Sequence, residues 1–207
     1  MMTITTPAGD PNLLSAEEMR LAVGLASSDA SKDAVLATLN GRVSRSIAAH
    51  CKVAAAGVAV PTLRQETVTE VFRTGMSRER LLLSRRPIVS VTSVVEDGET
   101  LTGADYEIDA ASGILLRLEN DEPADWSWQK ITVVYVAGWA TVPDDLKLAA
   151  SKLASEIYTV GTRDPNLKRI KVENVEEREF WVSPSSDPLI SSEVDALLAP
   201  YMNIWLG

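Results

Sequence analysis

Residues 135–150 read Tyr-Val-Ala-Gly-Trp-Ala-Thr-Val-Pro-Asp-Asp-Leu-Lys-Leu-Ala-Ala, and this stretch decides the fold. Hydrophobic residues alternate along 131–137, which predicts a strand that is buried mostly on both faces and that ends at Gly138. Pro143 suits the first turn of a helix, because its φ is already helical and its missing N–H is not needed there. The two aspartates that follow place negative charge at the positive end of the helix dipole. We therefore assign the structural turn and helix start to Gly138, Trp139, Pro143 and Asp144, and expect the helix to begin at Pro143.

Further helices are predicted on both sides of this stretch. Ser15 and Glu18 form the Ser-x-x-Glu capping box, which predicts a short helix over about 16–26. From Ser31, hydrophobic residues recur every four positions and predict a helix to about Ala55; they are Val35, Leu39, Val43, Ile47 and Cys51, with Leu36 and Ala48 widening the stripe. The helix from Pro143 is expected to end at Gly161, and a last one over about 192–198 to stop before Pro200.

The segment 65–137 changes to a period of two and predicts β structure with five or six short strands. Asp97-Gly98 is a hairpin turn signal, and Ser112-Gly113 separates two further alternating runs.

These elements predict an α+β fold. We expect a small antiparallel helical core from residues 15–62 and 138–162, with a β-hairpin-rich domain inserted at 63–137. Residues 1–14 are polar and are expected to form a flexible N-terminal arm, loose or pinned by a partner. Residues 163–207 are expected to form an extended C-terminal arm that ends in the short helix.

Composition limits the function. The 207 residues are 45% hydrophobic and carry a net charge of -9, which predicts a soluble protein and argues against a general binder of nucleic acid or acidic membranes. The chain shows neither a signal peptide nor a membrane span, so we expect no membrane partner and synthesis in a cytoplasm. A single cysteine excludes an internal disulfide and any cysteine-rich metal site.

The sequence gives little support for an enzyme. His50 and Cys51 are adjacent on a predicted helix, where neighbouring side chains do not face each other, and Cys51 continues the hydrophobic stripe. Asp105, Glu107 and Asp109 share a strand face and could hold Mg²⁺ or Ca²⁺, although solvent-facing alternation explains them as well. No phosphate loop, dinucleotide fingerprint, nucleophile elbow or zinc-protease motif is found. We expect no catalytic residue, metal or cofactor.

Several sequence blocks, taken in order, resemble one protein family. The blocks are Leu83-Ser-Arg-Arg-Pro-Ile-Val-Ser-Val, Asp105-Tyr-Glu-Ile-Asp, Ser112-Gly-Ile-Leu, Tyr135-Val-Ala-Gly-Trp and Val142-Pro-Asp-Asp-Leu-Lys-Leu-Ala. Over about residues 31–200 the chain resembles the head-tail connector (adaptor, head-completion) proteins of long-tailed bacteriophages and gene transfer agents. The resemblance implies a non-enzymatic ring subunit of the virion, made in the bacterial host cytoplasm and placed between capsid and tail. Its implied partners are the portal protein, a tail-side stopper or tail-terminator protein, and copies of itself, with twelve-fold symmetry expected.

Charge is unevenly distributed along the chain. Residues 40–86 hold nine basic and three acidic residues, a net +6, whereas residues 96–125 hold one basic and ten acidic residues, a net -9. Opposite poles would let copies stack head to tail into a ring, although charges kept for solubility would give the same pattern. In a ring, we expect the long helices to line or flank a channel for double-stranded DNA and the β domain to lie outward. The candidate channel or subunit-interface charges are Arg42, Arg45, Lys52, Arg85 and Arg86.

The C-terminal segment is the predicted contact with the portal or a neighbouring copy. Alternating hydrophobic residues within a polar stretch can add a strand to an exposed sheet edge, and large aromatic residues can anchor an interface. The candidates are Ile170, Val172, Phe180, Trp181, Tyr201 and Trp205. The alternative is that the hydrophobic residues pack on their own subunit.

A second function stays open. Trp126 and Trp128 are two residues apart, so on a strand they would share a face and could form a stacking platform. The chain would then be a carbohydrate- or peptide-binding β module on a helical base. Packing of these tryptophans against the helices is the other interpretation.

Overall fold

The structure is a computed structural model that describes residues 1–57, 59–73, 75–162, 169–172, 176–179 and 190–203. It has the predicted α+β architecture. The helices are α1 (Ala16–Ala22), α2 (Asp33–His50), α3 (Asp144–Thr162) and α4 (Ser192–Leu198), the last followed by a 3₁₀ turn over Ala199–Tyr201. The strands are β1 (Met2–Thr6), β2 (Glu66–Arg73), β3 (Arg80–Leu82), β4 (Ile88–Glu96), β5 (Glu99–Thr100), β6 (Tyr106–Asp109), β7 (Ile114–Glu119), β8 (Glu122–Ala124), β9 (Lys130–Ala137), β10 (Arg169–Val172) and β11 (Glu176–Glu179).

The chain divides into two compact units. The first contains residues 1–12, 44–143 and the segment from Tyr201 onward, and the second contains residues 13–43 and 144–200. The division passes through α2, so the C-terminal half of that helix is grouped with the strands. The predicted division instead assigned the whole of 15–62 to a helical core.

The first unit contains two antiparallel sheets. One has five strands in the order β1-β2-β9-β4-β5, and in the other the central strand β7 pairs with β6, β3 and β8. Eight strands lie between Glu66 and Ala137, where five or six were predicted, because three of them have only two or three residues. The predicted turns hold, since Asp97 and Gly98 (φ +50° and +88°) join β4 to β5 and Gly113 (φ +73°) precedes β7.

The prediction of a loose N-terminal arm was wrong for residues 2–6. They form β1, which pairs with β2 in antiparallel register, with Thr3 opposite Thr69 and Ile4 opposite Val68. Threonine is polar yet favours strands, because its branched side chain fits a pleated and half-buried surface. A threonine-rich segment therefore has the composition of a loop and the backbone preference of a strand.

The core of the first unit confirms the predicted alternation of β9. Ile131, Val133, Tyr135 and Ala137 are buried, and the residues between them are half-buried. The same core contains the hydrophobic residues Val68, Leu81, Leu83, Ile88, Val94, Leu115 and Trp126 from the neighbouring strands.

The second unit is helical. Its capping box is formed as predicted, with the Ser15 hydroxyl accepting from the Glu18 N–H (3.2 Å) and the Ser15 N–H donating to the Glu18 carboxylate (2.8 Å). That carboxylate also accepts from Lys147 Nζ on α3 (2.7 Å). Within this unit α1 packs on α3, and α3 packs on α4, so the capping residue also ties two helices together.

The helix ends differ from the predictions for local backbone reasons. α1 stops at Ala22 instead of about residue 26, because Gly24 has a φ of +80°. α2 stops at His50 instead of about Ala55, since Lys52 has a φ of +56°. α3 begins at Asp144, one residue after Pro143, and continues to Thr162. Val35 was assigned to the buried stripe of α2 but is 59% exposed, and Leu36 is buried.

Candidate assembly surfaces

The turn after β9 is held by close backbone packing. Gly138 has a φ of +97°, and a Cβ at this position would lie 2.5 Å from the Arg64 carbonyl oxygen. The Gly138 N–H donates to the Pro87 carbonyl (2.9 Å), and the Trp139 N–H donates to the Leu63 carbonyl (2.9 Å). Only glycine fits this conformation and this distance. The sequence block Gly138-Trp139 thus places Trp139 beside the segment that leads into β2.

Residues 201–203 contact their own subunit. The Tyr201 ring packs edge-to-face on Trp139, with centroids 6.0 Å apart and planes at 73°. Asn203 donates its backbone N–H to the Cys51 carbonyl (3.0 Å) and its side-chain Nδ2 to the Lys52 carbonyl (3.3 Å). Arg86 Nε donates to Asn203 Oδ1 (3.1 Å). For Tyr201, the intramolecular alternative is therefore the one observed, while Trp205 lies outside the described residues.

The two adjacent arginines have different environments. Arg86 is half-buried and also lies within 3.3 Å of the Ser112 carbonyl oxygen, so it links the C-terminal segment to the β6–β7 turn. Arg85 is only 4% exposed, and its guanidinium lies 3.4 Å from the Glu66 carboxylate. Arg85 was predicted to line a channel or a subunit interface. That prediction was wrong, because the side chain is enclosed in the first unit.

Arg85 belongs to a polar cluster within the core of the first unit. Tyr135 Oη donates to Glu70 Oε2 (3.0 Å) and accepts from the Arg85 N–H (3.3 Å), and Glu70 also accepts from the Ser84 N–H (3.1 Å). Burial raises the pKa of Glu66 and of Tyr135, whereas burial lowers the pKa of Arg85. Burial thus favours the neutral form of each group, so the Arg85–Glu66 ion pair forms at a cost in desolvation free energy.

This cluster was not predicted from the sequence, although β2 contained a signal for it. The inward face of β2 contains Glu66, Val68 and Glu70, and all three are buried. Two glutamates in phase with a core valine indicate buried acids that require partners. The neighbouring runs contained those partners in Arg85 and Tyr135.

The remaining basic residues lie in different surroundings. Arg42, Arg45 and Lys52 are exposed. In contrast, β3 starts at Arg80 and pairs with Ile114–Leu116 of β7, and Arg78 exchanges backbone hydrogen bonds with Trp126 next to Asp125 (2.8 and 3.3 Å). Part of the basic segment therefore lies in the same sheet as the acidic one. The opposite poles stay a prediction, and at β3 the two segments are neighbours.

Two aspartates of the acidic strand segment accept hydrogen bonds within the adjacent turns. Asp105 accepts from the N–H and the hydroxyl of Thr102 (2.7 Å each), and Asp109 accepts from the Ser112 hydroxyl (2.6 Å). These hydrogen bonds lower the pKa of both carboxyl groups. Among the described residues, no group of three or more His, Cys, Asp or Glu side chains could hold a metal ion. The two aspartates thus stabilise turns instead of converging on a cation.

The other reactive or ligand-binding candidates are separated by the fold. Trp126 is fully buried and donates Nε1 to the Leu115 carbonyl (3.2 Å), whereas Trp128 is 65% exposed. The two rings therefore do not form a common platform, because one of them belongs to the core. Cys51 is fully buried, and burial raises the pKa of its thiol to about 12. No helix in the described ranges is long and hydrophobic enough to cross a membrane.

The predicted C-terminal arm contains a hairpin. Residues Arg169–Val172 (β10) pair in antiparallel register with Glu176–Glu179 (β11), so this part of the arm is not a single extended chain. Ile170 and Val172 lie on β10. Phe180, Trp181 and Trp205 fall outside the described residues, and their predicted contacts stay predictions.

One comparison with known proteins shows a family. The family model described as "Head completion protein" matches residues 12–157. A search of curated proteins found no match.

Solved structures share the fold. A chain in the neck of an empty gene transfer agent particle, computed with C6 symmetry, has a TM-score of 0.59 and 18% identity. A chain in the virion of a native gene transfer agent particle has a TM-score of 0.57 and 20% identity. A chain in the native particle neck, computed with C12 symmetry, has a TM-score of 0.55 and 18% identity. Each alignment covers 100% of this chain and 97% of the other. Since the family model spans more than half of the chain, this protein belongs to the head completion protein family.

Proposed function

We propose that this protein is one subunit of a ring that joins the portal of a capsid to the tail. Its structural role as a head-tail connector follows from its family. The observation that carries the ring is the likeness over the whole chain to subunits of particle necks, including one computed with C12 symmetry. In this role the protein works by assembly, without catalysis or a cofactor, and resides in the virion at the junction of capsid and tail.

The partners in this proposal are the portal, a tail-side stopper or tail-terminator protein, and neighbouring copies in a twelve-fold ring. A connector must bind different proteins on its two sides, while heterologous contacts between copies close the ring. The hairpin of β10 and β11, with Ile170 and Val172, is the proposed neighbour contact. Phe180, Trp181 and Trp205 are proposed contacts with the portal or a neighbour.

Electron microscopy of negatively stained samples tests the ring. The protein is imaged alone and after mixing with the portal protein encoded near it. We expect rings that cap the portal with matching symmetry, while the free protein can remain monomeric until it meets this template. A protein that stays monomeric and ignores the portal would contradict the proposal.

The exposed basic residues of α2 are the proposed contacts with passing DNA. Arg42 and Arg45 are both exposed on this helix, and a few cations in an otherwise acidic chain would touch phosphates without holding them tightly. Arg85 is excluded from this set by its burial, and Arg86 by its contacts with Asn203 and Ser112.

The double variant Arg42→Gln/Arg45→Gln tests this contact. We expect it to reduce the retention of DNA in particles, measured as the packaged DNA that stays protected from nuclease. The control is Arg78→Gln/Arg80→Gln, which removes the same charge from exposed positions near β3. Equal retention by both double variants and by the unmodified protein would remove α2 from the DNA path.

A further inference from the structure

β1 is an outer strand of the five-stranded sheet. It pairs with β2 on one side, and no other described strand pairs with it. Its residues Met2, Thr3 and Ile4 follow one another in an unbroken register with Glu70, Thr69 and Val68. An outer strand presents unpaired backbone groups that can accept a strand from another chain.

The register shows which backbone groups face the open edge. Met1 and Val71 exchange two hydrogen bonds, from the Met1 amino nitrogen to the Val71 carbonyl (2.7 Å) and from the Val71 N–H to the Met1 carbonyl (2.8 Å). In an antiparallel pair, hydrogen-bonded and non-hydrogen-bonded positions alternate. Thr3 is therefore a hydrogen-bonded position toward β2. The N–H and C=O groups of Met2 and Ile4 point away from β2, toward the open edge.

β4, β6 and β8 carry features that hinder strand addition, whereas β1 carries fewer of them, with one register shift between Ile4 and Thr6. β4 has two register shifts along β9, between Ile88 and Ser90 and between Val91 and Ser93. β6 carries Glu107 and Asp109, and β8 carries Glu122 and Pro123. Charges, prolines and bulges are the usual means of preventing strand addition. Met2 to Thr6 contain neither a charge nor a proline, so this edge lacks most of that protection.

The same chain contains a β hairpin that has no sheet of its own. β10 and β11 pair with each other, and within the described ranges no third strand joins them. A two-stranded hairpin is marginally stable in water, and a further strand stabilises it. β10 contains the strand-favouring Ile170 and Val172, while β11 reads Glu-Glu-Arg-Glu. The open edge of β10 thus suits strand addition, and a charged β11 suits the end of a sheet.

We propose that β10 of one copy adds to the open edge of β1 of the next copy. The N–H and C=O groups of Ile4 would then bond to the neighbour, and the two hairpin strands would extend the five-stranded sheet. The charged β11 would end it. Because two different strands meet, the contact is heterologous and can close into a ring. This inference rests on the ring in the proposed function and identifies one of its subunit contacts.

Two variants of Ile4 isolate the backbone bond. Ile4→Pro removes the outward N–H and leaves the β1–β2 hydrogen bonds in place, since Ile4 makes none of them. Ile4→Ala loses the same half-buried side chain but keeps the N–H. We expect Ile4→Pro to lower ring formation on the portal by about tenfold or more relative to Ile4→Ala. Circular dichroism and thermal unfolding of the monomers are expected to be the same for both variants.

A cysteine cross-link identifies the partner strand. Thr3→Cys is combined in turn with a cysteine at each β10 position, and rings formed on the portal are oxidised and examined under non-reducing conditions. We expect a ladder of disulfide-linked copies for at least one pair and none for the single variants, because the native Cys51 is buried.

The outcomes separate the two proposals. Failure of the unmodified chain to form rings on the portal would overturn the proposed function. Rings that form equally well from Ile4→Pro, or rings without any β1–β10 cross-link, would overturn the strand addition and leave the connector role intact. A cross-link from Thr3→Cys to a portal cysteine would also overturn it, since the edge would then be occupied by the portal.

Discussion

Replacement of Arg85 by methionine should destabilise this protein strongly. Arg85 is 4% exposed and faces Glu66, which is also 4% exposed, at a distance of 3.4 Å. In Arg85→Met the Glu66 carboxylate would lose its counter-charge while it stays buried. Breaking a buried pair in this way costs about 3–5 kcal/mol in free energy of unfolding, because one charge is left uncompensated. Arg80→Met, which removes an exposed arginine, should change stability by less than about 0.5 kcal/mol.

The double variant Glu66→Gln/Arg85→Met should recover most of that loss. The Arg85–Glu66 pair has a high desolvation cost, since three Arg85 nitrogens and Glu66 Oε2 have no hydrogen-bond partner among the described residues. Replacing both charges removes this cost together with the attraction, so we expect stability within about 1 kcal/mol of the unmodified protein, or above it. Each single change is expected to be worse than the double change, which is the signature of a coupled pair.

The pH dependence of the free energy of unfolding shows whether ionised Glu66 stabilises or destabilises the folded protein. Burial raises the pKa of Glu66 above its ordinary 4.5, so the folded protein binds a proton more readily than the unfolded chain. Ionisation of this group therefore opposes folding as the pH rises from 4.5 through the folded pKa. In Arg85→Met the opposing charge is gone, the folded pKa rises further, and the deficit at pH 7 should shrink as the pH is lowered toward 4.5.

Urea unfolding monitored by circular dichroism measures these differences at pH 7 and pH 5. Both conditions include the unmodified protein, the two single variants, the double variant and Arg80→Met. A free energy of unfolding of Arg85→Met within about 1 kcal/mol of that of the unmodified protein at pH 7 would refute a large cost of the uncompensated Glu66 charge. A loss of stability in the double variant equal to the sum of the losses in the two single variants would refute the coupling of the pair.

Three further results are expected from local geometry. Gly138→Ala should lower the free energy of unfolding in urea by roughly 3 kcal/mol or more, because a Cβ would lie 2.5 Å from the Arg64 carbonyl oxygen and φ is +97°. The control Gly103→Ala should be nearly neutral, since a Cβ there would meet open space. Cys51 should resist a thiol reagent at pH 8 until the protein unfolds, since burial raises its pKa to about 12. Asn203→Ala should lower the thermal unfolding temperature, because two side-chain hydrogen bonds worth about 1 kcal/mol each are lost, while the backbone bond to the Cys51 carbonyl stays.

The parts of the fold that could be predicted from sequence are those governed by local rules. The Ser15–Glu18 capping box, the Asp97-Gly98 turn and the alternation of β9 depend on neighbours within a few residues. These signals arise from backbone geometry and solvent exposure, so they can be recognised in the sequence without knowledge of the tertiary structure.

The predictions for Arg85 and for the tryptophan pair failed because these side chains depend on long-range packing. Arg85 looks like a surface cation next to Arg86, and only the position of Glu66, nineteen residues earlier on β2, shows that its charge is buried. Trp126 and Trp128 were placed on one face of a strand, but Trp126 packs in the core and Trp128 is exposed. Composition does not distinguish such cases, since the decisive contacts come from other strands.

The proposed contact between copies is made by backbone groups, so only a substitution that changes the backbone can reveal it. Thr3 and Ile4 are adjacent on β1, and what distinguishes their roles is the direction of the backbone N–H, which follows from the register with β2. An alanine scan leaves every N–H in place, so it would score the edge of β1 as unimportant even if the strand were essential for the ring. Proline is the informative substitution, and its effect should alternate along β1: at Ile4 it would block the neighbour, while at Thr3 it would remove a bond to β2 and weaken the subunit itself.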